Sequence, residues 1–259
     1  MPADLKSALG LARSGARAAA MGAWTLTLLP VAVPHMGSRP PSTHEKWRRR
    51  WVRAWAAGLV RVFGVDLRVT GEAITEPSRG RLVVANHRSP LDIIILLERF
   101  GGTVLSRADL RSWPVLGAAA HHGGTIFVDR DDERSGVKAI REIRRRLQAG
   151  QTVIVFPEGT THRGDDVYPF VGGAFAAVRG VDAELVPVGV AYESGCEFVD
   201  ESFGQHVARV AQRPATRVGL CIGAARNVTD FKRDRESMAV AMRTEVQGLV
   251  HKARAAMQE

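Results

Sequence analysis

Arg81-Leu82-Val83-Val84-Ala85-Asn86-His87-Arg88-Ser89-Pro90-Leu91-Asp92-Ile93-Ile94-Ile95 is the stretch that decides the fold. Its first half is a continuous apolar run, the pattern of a strand buried on both faces. Ser89-Pro90 then has the residues of a helix start, with proline suited to the first helical position, and a helix is predicted over 90–99. A strand over 81–86 that breaks into a helix is the first half of a strand–helix–strand unit. The turn between them carries His87 and, five residues on, Asp92. A general base needs an imidazole free at one nitrogen and a partner that accepts a hydrogen bond from the other. Two readings are open at this point. Asp92 is that partner, or it is the N3 carboxylate of an ordinary helix cap.

Outward from this stretch the same alternation repeats from about residue 65. Apolar, β-branched runs predict further strands at 66–70, 103–106, 124–128, 152–156, 185–191 and 217–222. Helical patterns fall at 113–121, 134–149, 172–179 and 232–257. The helix at 134–149 puts Val137, Ile140, Ile143 and Leu147 on one side and Lys138, Arg141, Arg144 and Arg145 on others, and Gly150 ends it. Continuous apolar strands joined by helices predict an α/β fold, with a mostly parallel sheet of about seven strands covered by helices on both faces. Ligands of such folds bind beyond the carboxyl ends of the strands. A chain of 259 residues suits one large α/β domain, read as residues 65–259, with an appendage. Hydrophobic content of 45% and charged content of 24% are those of a folded protein.

The appendage is basic. Residues 1–68 hold 11 Lys and Arg against 3 Asp and Glu, whereas residues 69–259 hold 25 against 24. Basic segments meet nucleic acid or anionic lipid, and the interleaved residues choose between them. Lys46, Arg48, Arg49, Arg50 and Arg53 share a predicted helix with Trp47, Trp51, Trp55, Leu59, Val62 and Phe63. The tryptophans recur every four residues and form a stripe beside a basic face, which suits a bilayer interface. The competing reading is a helix packed on the protein's own core, although interior helices seldom need so many arginines. Upstream, Ala18 to Pro34 is an uncharged run of 17 residues. It is short of the ~20 apolar residues of a spanning helix, and Pro30 is expected to kink it. No small-x-small cleavage site follows it. Residues 1–64 are therefore read as a two-helix membrane anchor that does not cross the bilayer, with its turn at Pro34, Gly37, Ser38, Pro40 and Pro41. The partner is membrane, not nucleic acid. Cys196 and Cys221 match no metal pattern and fit a reducing cytosol.

Three further runs carry polar groups at strand ends. Gly124 to Arg130 is a strand ending in Asp129-Arg130, and arginine there suits a bidentate contact with phosphate or carboxylate. Val153 to Thr161 is a strand that breaks at Pro157-Glu158-Gly159-Thr160-Thr161, where exposed amides and hydroxyls suit an oxyanion. Its glutamate either bonds a polyol or locks the loop. Leu185 to Val190 is an apolar strand interrupted by Pro187, readable as core or as the lip of an acyl-chain channel. Arg107, closing the strand at 103–106, is a candidate second cation for a phosphate or a solvated surface residue. His121 and His122 lack the spacing of a metal site, and no metal is expected.

These four blocks, in this order over about residues 86–190, resemble the signature motifs of the glycerolipid acyltransferase family. His87 and Asp92 match its His-x4-Asp motif, and Phe156 to Thr160 its Phe-Pro-Glu-Gly-Thr motif. The resemblance implies acyl transfer from acyl-CoA or acyl-carrier protein to a lysophospholipid hydroxyl, on the cytoplasmic face of a membrane and without a cofactor. It makes His87 the general base and Asp92 its orienting partner, and places Arg130, Glu158, Gly159 and Thr160 at the acceptor's polar head. Phosphate-binding members carry arginine directly after Gly-Thr, whereas Thr161 stands there in this chain and Arg163 follows two positions later. Arg163 then substitutes, or the head group differs. Relatives that acylate lyso-ornithine lipid look similar here, with a second Thr or Ser and a later Val-x-Pro-Phe, as in Val167-Tyr168-Pro169-Phe170. Lysophosphatidic acid is the leading acceptor and lyso-ornithine lipid the alternative. A non-catalytic lipid-binding protein with this fold is the remaining one.

Overall fold

The computed structural model describes residues 3–113, 115–129, 132–231 and 234–258. Its centre is one sheet of β1 (Val65–Gly71), β2 (Gly80–Ala85), β3 (Thr103–Arg107), β4 (Ile126–Val128), β5 (Thr152–Val155), β6 (Ala183–Tyr192), β7 (Thr216–Ile222) and the short β8 (Arg226–Asn227). The order is β1-β7-β6-β2-β5-β3-β4, with β8 beside β6. β2 lies parallel to both β5 and β6 and is buried at every residue: Leu82 to Ala85 are apolar, and Arg81 is buried in an ion pair with Glu184. The sheet is mostly parallel, and the chain reverses only where β6 meets β7 and β8. Pro187 sits between those two pairings: β8 bonds to Glu184 and Leu185, and β7 begins at Val188. A residue with no N–H is tolerated in a central strand at the point where its neighbour changes.

Helices cover both faces. On one face α2 (His44–Val62), α3 (Leu91–Phe100) and α7 (Phe203–Ala211) pack on Val83, Ala85, Val186, Val188 and Val190. On the other, α5 (Glu133–Gln148), α6 (Gly173–Val178) and α8 (Arg235–Ala256) pack on Leu82, Val84, Val153, Val155 and Leu185. Successive side chains of one strand thus enter different cores, which is the period of two at work. Ile143 and Leu147 of α5 are almost wholly buried, each worth roughly 1.5–3 kcal/mol. Gly189 is required by close approach, because a Cβ there would lie 2.3 Å from the backbone of Leu249 and Val250 in α8. A short α4 (Leu116–His122) sits beyond β3.

The N-terminal segment differs from expectation in its joints. α1 (Ala3–Gly37) starts well before the uncharged run and continues through Pro30 and Pro34, so Pro34 lies in the helix and the turn is Ser38 to Pro40. The tryptophans of α2 are turned toward α1. Trp51 Nε1 donates to His35 Nδ1 (3.2 Å), Trp55 Nε1 to Thr25 Oγ1 (3.0 Å), and Trp24 of α1 donates to the Trp55 carbonyl (3.0 Å). The adjacent face of α2 buries Val52, Ala56, Leu59 and Phe63 in the core shared with α3. That core therefore runs across residue 64. At its other end α1 grips α7: Arg13 donates to the Gln212 carbonyl, and Arg17 to those of Ala211, Arg213 and Pro214. These are the carbonyls left open where a helix ends, where cations are favoured. By length and composition α1 is apolar enough to cross a membrane.

Candidate active site

The turn after β2 is shaped by side chains that replace backbone partners. Asn86, fully buried, donates through Nδ2 to the Val190 carbonyl and accepts from the Val190 amide, both at 2.8 Å, so it completes the β2–β6 ladder sideways. The chain is then free to turn at His87. Asp92 reaches back from the first turn of α3, and three donors converge on its Oδ2: His87 Nδ1 (2.8 Å), the Arg88 amide (2.7 Å) and the Ser89 amide (2.9 Å). The Tyr192 hydroxyl donates to Oδ1 at 2.6 Å. Burial, and then the adjacent carboxylate, hold the Tyr192 phenol well above its ordinary pKa, so it stays a donor. Asp92 therefore makes both kinds of contact, although the helix starts at Leu91 rather than at Pro90. It reaches back to the Ser89 amide as a cap does, and it is the partner of His87.

A carboxylate only accepts, so His87 Nδ1 carries the proton of this contact, and it is Nε2 that holds the lone pair of the neutral ring. Nε2 has no protein partner among the described residues. The ring lies against Phe156 with centroids 4.2 Å apart and planes 19° from parallel. It is held from below, stacked on one side, and open toward a cavity.

Behind the dyad lies a buried ionic layer. Glu158 Oε1 accepts from the His87 amide (2.7 Å) and Arg88 Nη1 (3.0 Å), and Oε2 contacts His162 Nε2 (2.5 Å) and the Tyr168 amide (2.8 Å). Arg88 also donates to the carbonyls of Gly164 and Asp166. The Glu158 side chain is 0% exposed and that of Arg88 2%, so this pair is withdrawn from solvent. The head-group role implied for Glu158 gives way to loop locking, because its oxygens are already occupied within the protein. Glu158→Ala leaves Arg88 as an uncompensated buried charge and is expected to cost about 3–5 kcal/mol. Urea denaturation measures it, and an unchanged midpoint would refute the lock.

His87 opens on a cavity of about 1030 Å³ whose walls are mostly apolar side chains of α1, α2, α3, α5 and α7. Of the residues singled out from sequence, His87, Glu158, Gly159 and Arg107 line it. Gly159 adopts φ +70°. Arg107 is exposed at the end of β3. Thr160 is exposed and outside the lining. Arg163 points away, 70% exposed and 3.6 Å from Asp200, so it does not stand in for the missing arginine. Arg130 lies outside the described residues. Thr161 donates to the Phe198 carbonyl (2.5 Å) and so fixes a wall residue of the cavity. Leu185 to Val190 is core, not channel lip.

Sequence reasoning missed Arg88, Tyr192 and His206. Ser89 donates to His206 Nε2 (2.9 Å), whose Nδ1 contacts Glu201 (2.8 Å), and burial lowers the His206 pKa and keeps it a neutral acceptor. Arg88 stood inside the motif, and a basic residue beside a predicted strand end was the one available signal.

Residues 66–191 match the family model described as Acyltransferase. That segment resembles the domain of this family over a little under half of the chain. Its domain limits enclose the dyad and Glu158 but stop one residue before Tyr192. Over 145 residues the chain is 35% identical to a lyso-ornithine lipid O-acyltransferase of Pseudomonas aeruginosa, covering 56% of this chain and 55% of that protein. Over 147 residues it is 33% identical to a 1-acyl-sn-glycerol-3-phosphate acyltransferase of Neisseria gonorrhoeae, covering 57% of each. The chain thus spans a little over half the length of these curated relatives. A crystal structure of the 1-acyl-sn-glycerophosphate acyltransferase of Thermotoga maritima superposes with a TM-score of 0.69 at 20% identity, over 91% of this chain and 95% of that one. The matched segment therefore sits in a fold shared along nearly the whole chain.

Proposed function

We propose that this protein is a membrane-associated acyltransferase that moves a fatty acyl group from an acyl thioester, acyl-CoA or acyl-carrier protein, to a lysophospholipid hydroxyl. The observation that carries the reading is His87, with Nδ1 bound to Asp92 and Nε2 free beside a large apolar cavity. Nε2 takes the hydroxyl proton as the oxygen attacks the thioester carbonyl. The C–O bond forms, the C–S bond breaks, and the proton passes to the departing sulfur. A thioester is already activated, so the chemistry asks for no protein nucleophile, metal or cofactor. Lysophosphatidic acid is the leading acceptor, supported by Arg107 at the cavity and by Arg130 in the sequence motif. Lyso-ornithine lipid is the second reading, supported by Thr161 in place of the arginine and by the Pseudomonas relative. Exposed Leu26 and Val31 on α1, with Lys46, Arg50 and Arg53 exposed on α2, support docking to an anionic leaflet on the cytoplasmic side.

The test supplies purified protein with labelled acyl-CoA or acyl-carrier protein and a panel of lysolipids. One lysolipid class is expected to be acylated well above the others. If no lysolipid is acylated with either donor, the reading fails, and the non-catalytic lipid-binding alternative takes its place.

A further inference from the structure

A second cavity, of about 420 Å³, opens at the other end of β2 from His87 and shares no lining residue with the first. Arg81, near the start of β2, lies in its wall, and six residues of strand put that residue roughly 20 Å from His87. The last turn of α3, the ends of β1 and β7, one face of α2 and the irregular segment 72–79 complete it. Where the catalytic cavity is apolar, this one is charged. Arg49, Arg53, Arg81 and Arg99 line it together with Glu72 and Glu76.

The arginines are held together against their own repulsion. Arg49 and Arg53 stand one turn apart on α2, where like charges are unfavourable. Both lie across Gly101, which ends α3 at φ +64°: a Cβ there would lie 2.3 Å from Arg49 Cγ and 3.2 Å from Arg53 Cγ. Most of their donors are uncommitted, since a guanidinium carries five N–H groups. Arg49 gives one nitrogen to Glu76, and Arg53 gives its Nε to the Glu98 carbonyl (3.1 Å). The Arg99 side chain makes no hydrogen bond among the described residues, although Glu98 Oε2 lies 3.0 Å from its Nε. Arg81 is the committed one. It bonds to Glu184 and to the Thr75 carbonyl (2.8 Å), and so pins segment 72–79 at the cavity.

Glu76 occupies this cluster. The Arg49 hydrogen bond, and then the charges of Arg49, Arg53 and Arg81, hold its carboxyl below the ordinary glutamate range. Its hold is weak, because the side chain is 72% exposed on a segment without regular structure. Exposed ion pairs contribute little. A phosphomonoester brings up to two negative charges and three acceptor oxygens, enough for the forks of several arginines at once. We propose that this cavity binds a phosphomonoester group, and that Glu76 is an internal stand-in which the ligand displaces. Such a group is carried by small soluble molecules and by lipid head groups, and the exposed Arg53 puts the cavity within reach of both.

The test uses the full chain and needs no turnover, so its outcome is independent of the acyltransferase reading. Calorimetry with glycerol 3-phosphate is run on the wild type, Glu76→Gln, Arg49→Gln, Arg99→Gln and Lys138→Gln. The last removes an exposed charge on α5, away from the cavity. Flotation of the same set compares phosphatidylcholine vesicles carrying phosphatidic acid, a lipid phosphomonoester, with phosphatidylglycerol vesicles of equal charge. Glu76→Gln is expected to tighten binding by up to about five-fold, the contribution of an exposed ion pair. Misfolding does not produce a gain. Arg49→Gln and Arg99→Gln are expected to weaken binding by about ten-fold or more, the contribution of one charged hydrogen bond, while Lys138→Gln leaves it unchanged. A gain at Glu76→Gln in calorimetry assigns a soluble ligand, and a gain only on phosphatidic acid vesicles assigns a lipid head group. The proposal is overturned if Glu76→Gln gains in neither assay, if binding survives both arginine changes, or if Lys138→Gln weakens it as much as they do.

Discussion

Replacing His87 with alanine is expected to lower the acyl-transfer rate by about 10²–10⁴-fold, the contribution of a positioned general base. The loss belongs in kcat, because the imidazole acts on a proton that moves only during reaction and the apolar walls that bind the chains are untouched. The fold should survive. The backbone amide of residue 87 is what Glu158 holds, and alanine keeps it. The stacking contact with Phe156 is lost, which is worth about 0.5–1.5 kcal/mol. Transfer assays and thermal melts on the same preparation read both quantities. A variant with wild-type turnover would remove His87 from the mechanism.

Asp92→Asn is expected to cost about 10²–10³-fold in kcat, and the geometry says why it is not more. Three N–H donors meet Oδ2, while Oδ1 faces the Tyr192 hydroxyl. Asparagine settles with its oxygen at the first position and its NH₂ toward a hydroxyl that can also accept. The His87 tautomer is kept, and what disappears is the negative charge beside the forming imidazolium. A unit pair about 4 Å apart at an effective dielectric near 20 is worth about 4 kcal/mol, or roughly three powers of ten as an upper bound. Asp92→Ala is a different experiment, since it leaves buried amides unpaired at about 1–3 kcal/mol each. Steady-state kinetics of the asparagine variant decide the point: a loss below ten-fold means that the carboxylate only caps the helix.

The parts of this architecture legible in the sequence are those with strong periodicity. Leu82 to Ala85 of β2 and Val153 to Val155 of β5 are continuous apolar runs, and α5 has its apolar positions three and four apart, so their type and place follow directly. The reversal of β7 against β6 is not written in either strand, because an apolar run buried on both faces reads the same in both directions. α7 went unread although Ser202 and Gln205 form a capping box, because Gly204 interrupts its first turn. The tryptophan stripe was legible as an interface, but its partner was not: indole N–H groups beside arginines suit a bilayer and a neighbouring helix equally, and α1 supplies the acceptors. In the site, His87 and Asp92 declared themselves by spacing. Tyr192 did not, because it arrives from 100 residues away through sheet pairing alone.

The grip of Arg13 and Arg17 on the end of α7 has a mechanical consequence. α7 carries His206 and Val207, which form part of the wall next to the dyad, and its last carbonyls are tied to the helix most suited to lipid. α1 therefore acts as a lever on that wall. Trimming it to obtain a more tractable protein would release the end of α7 from its tether, and with it the wall beside His87.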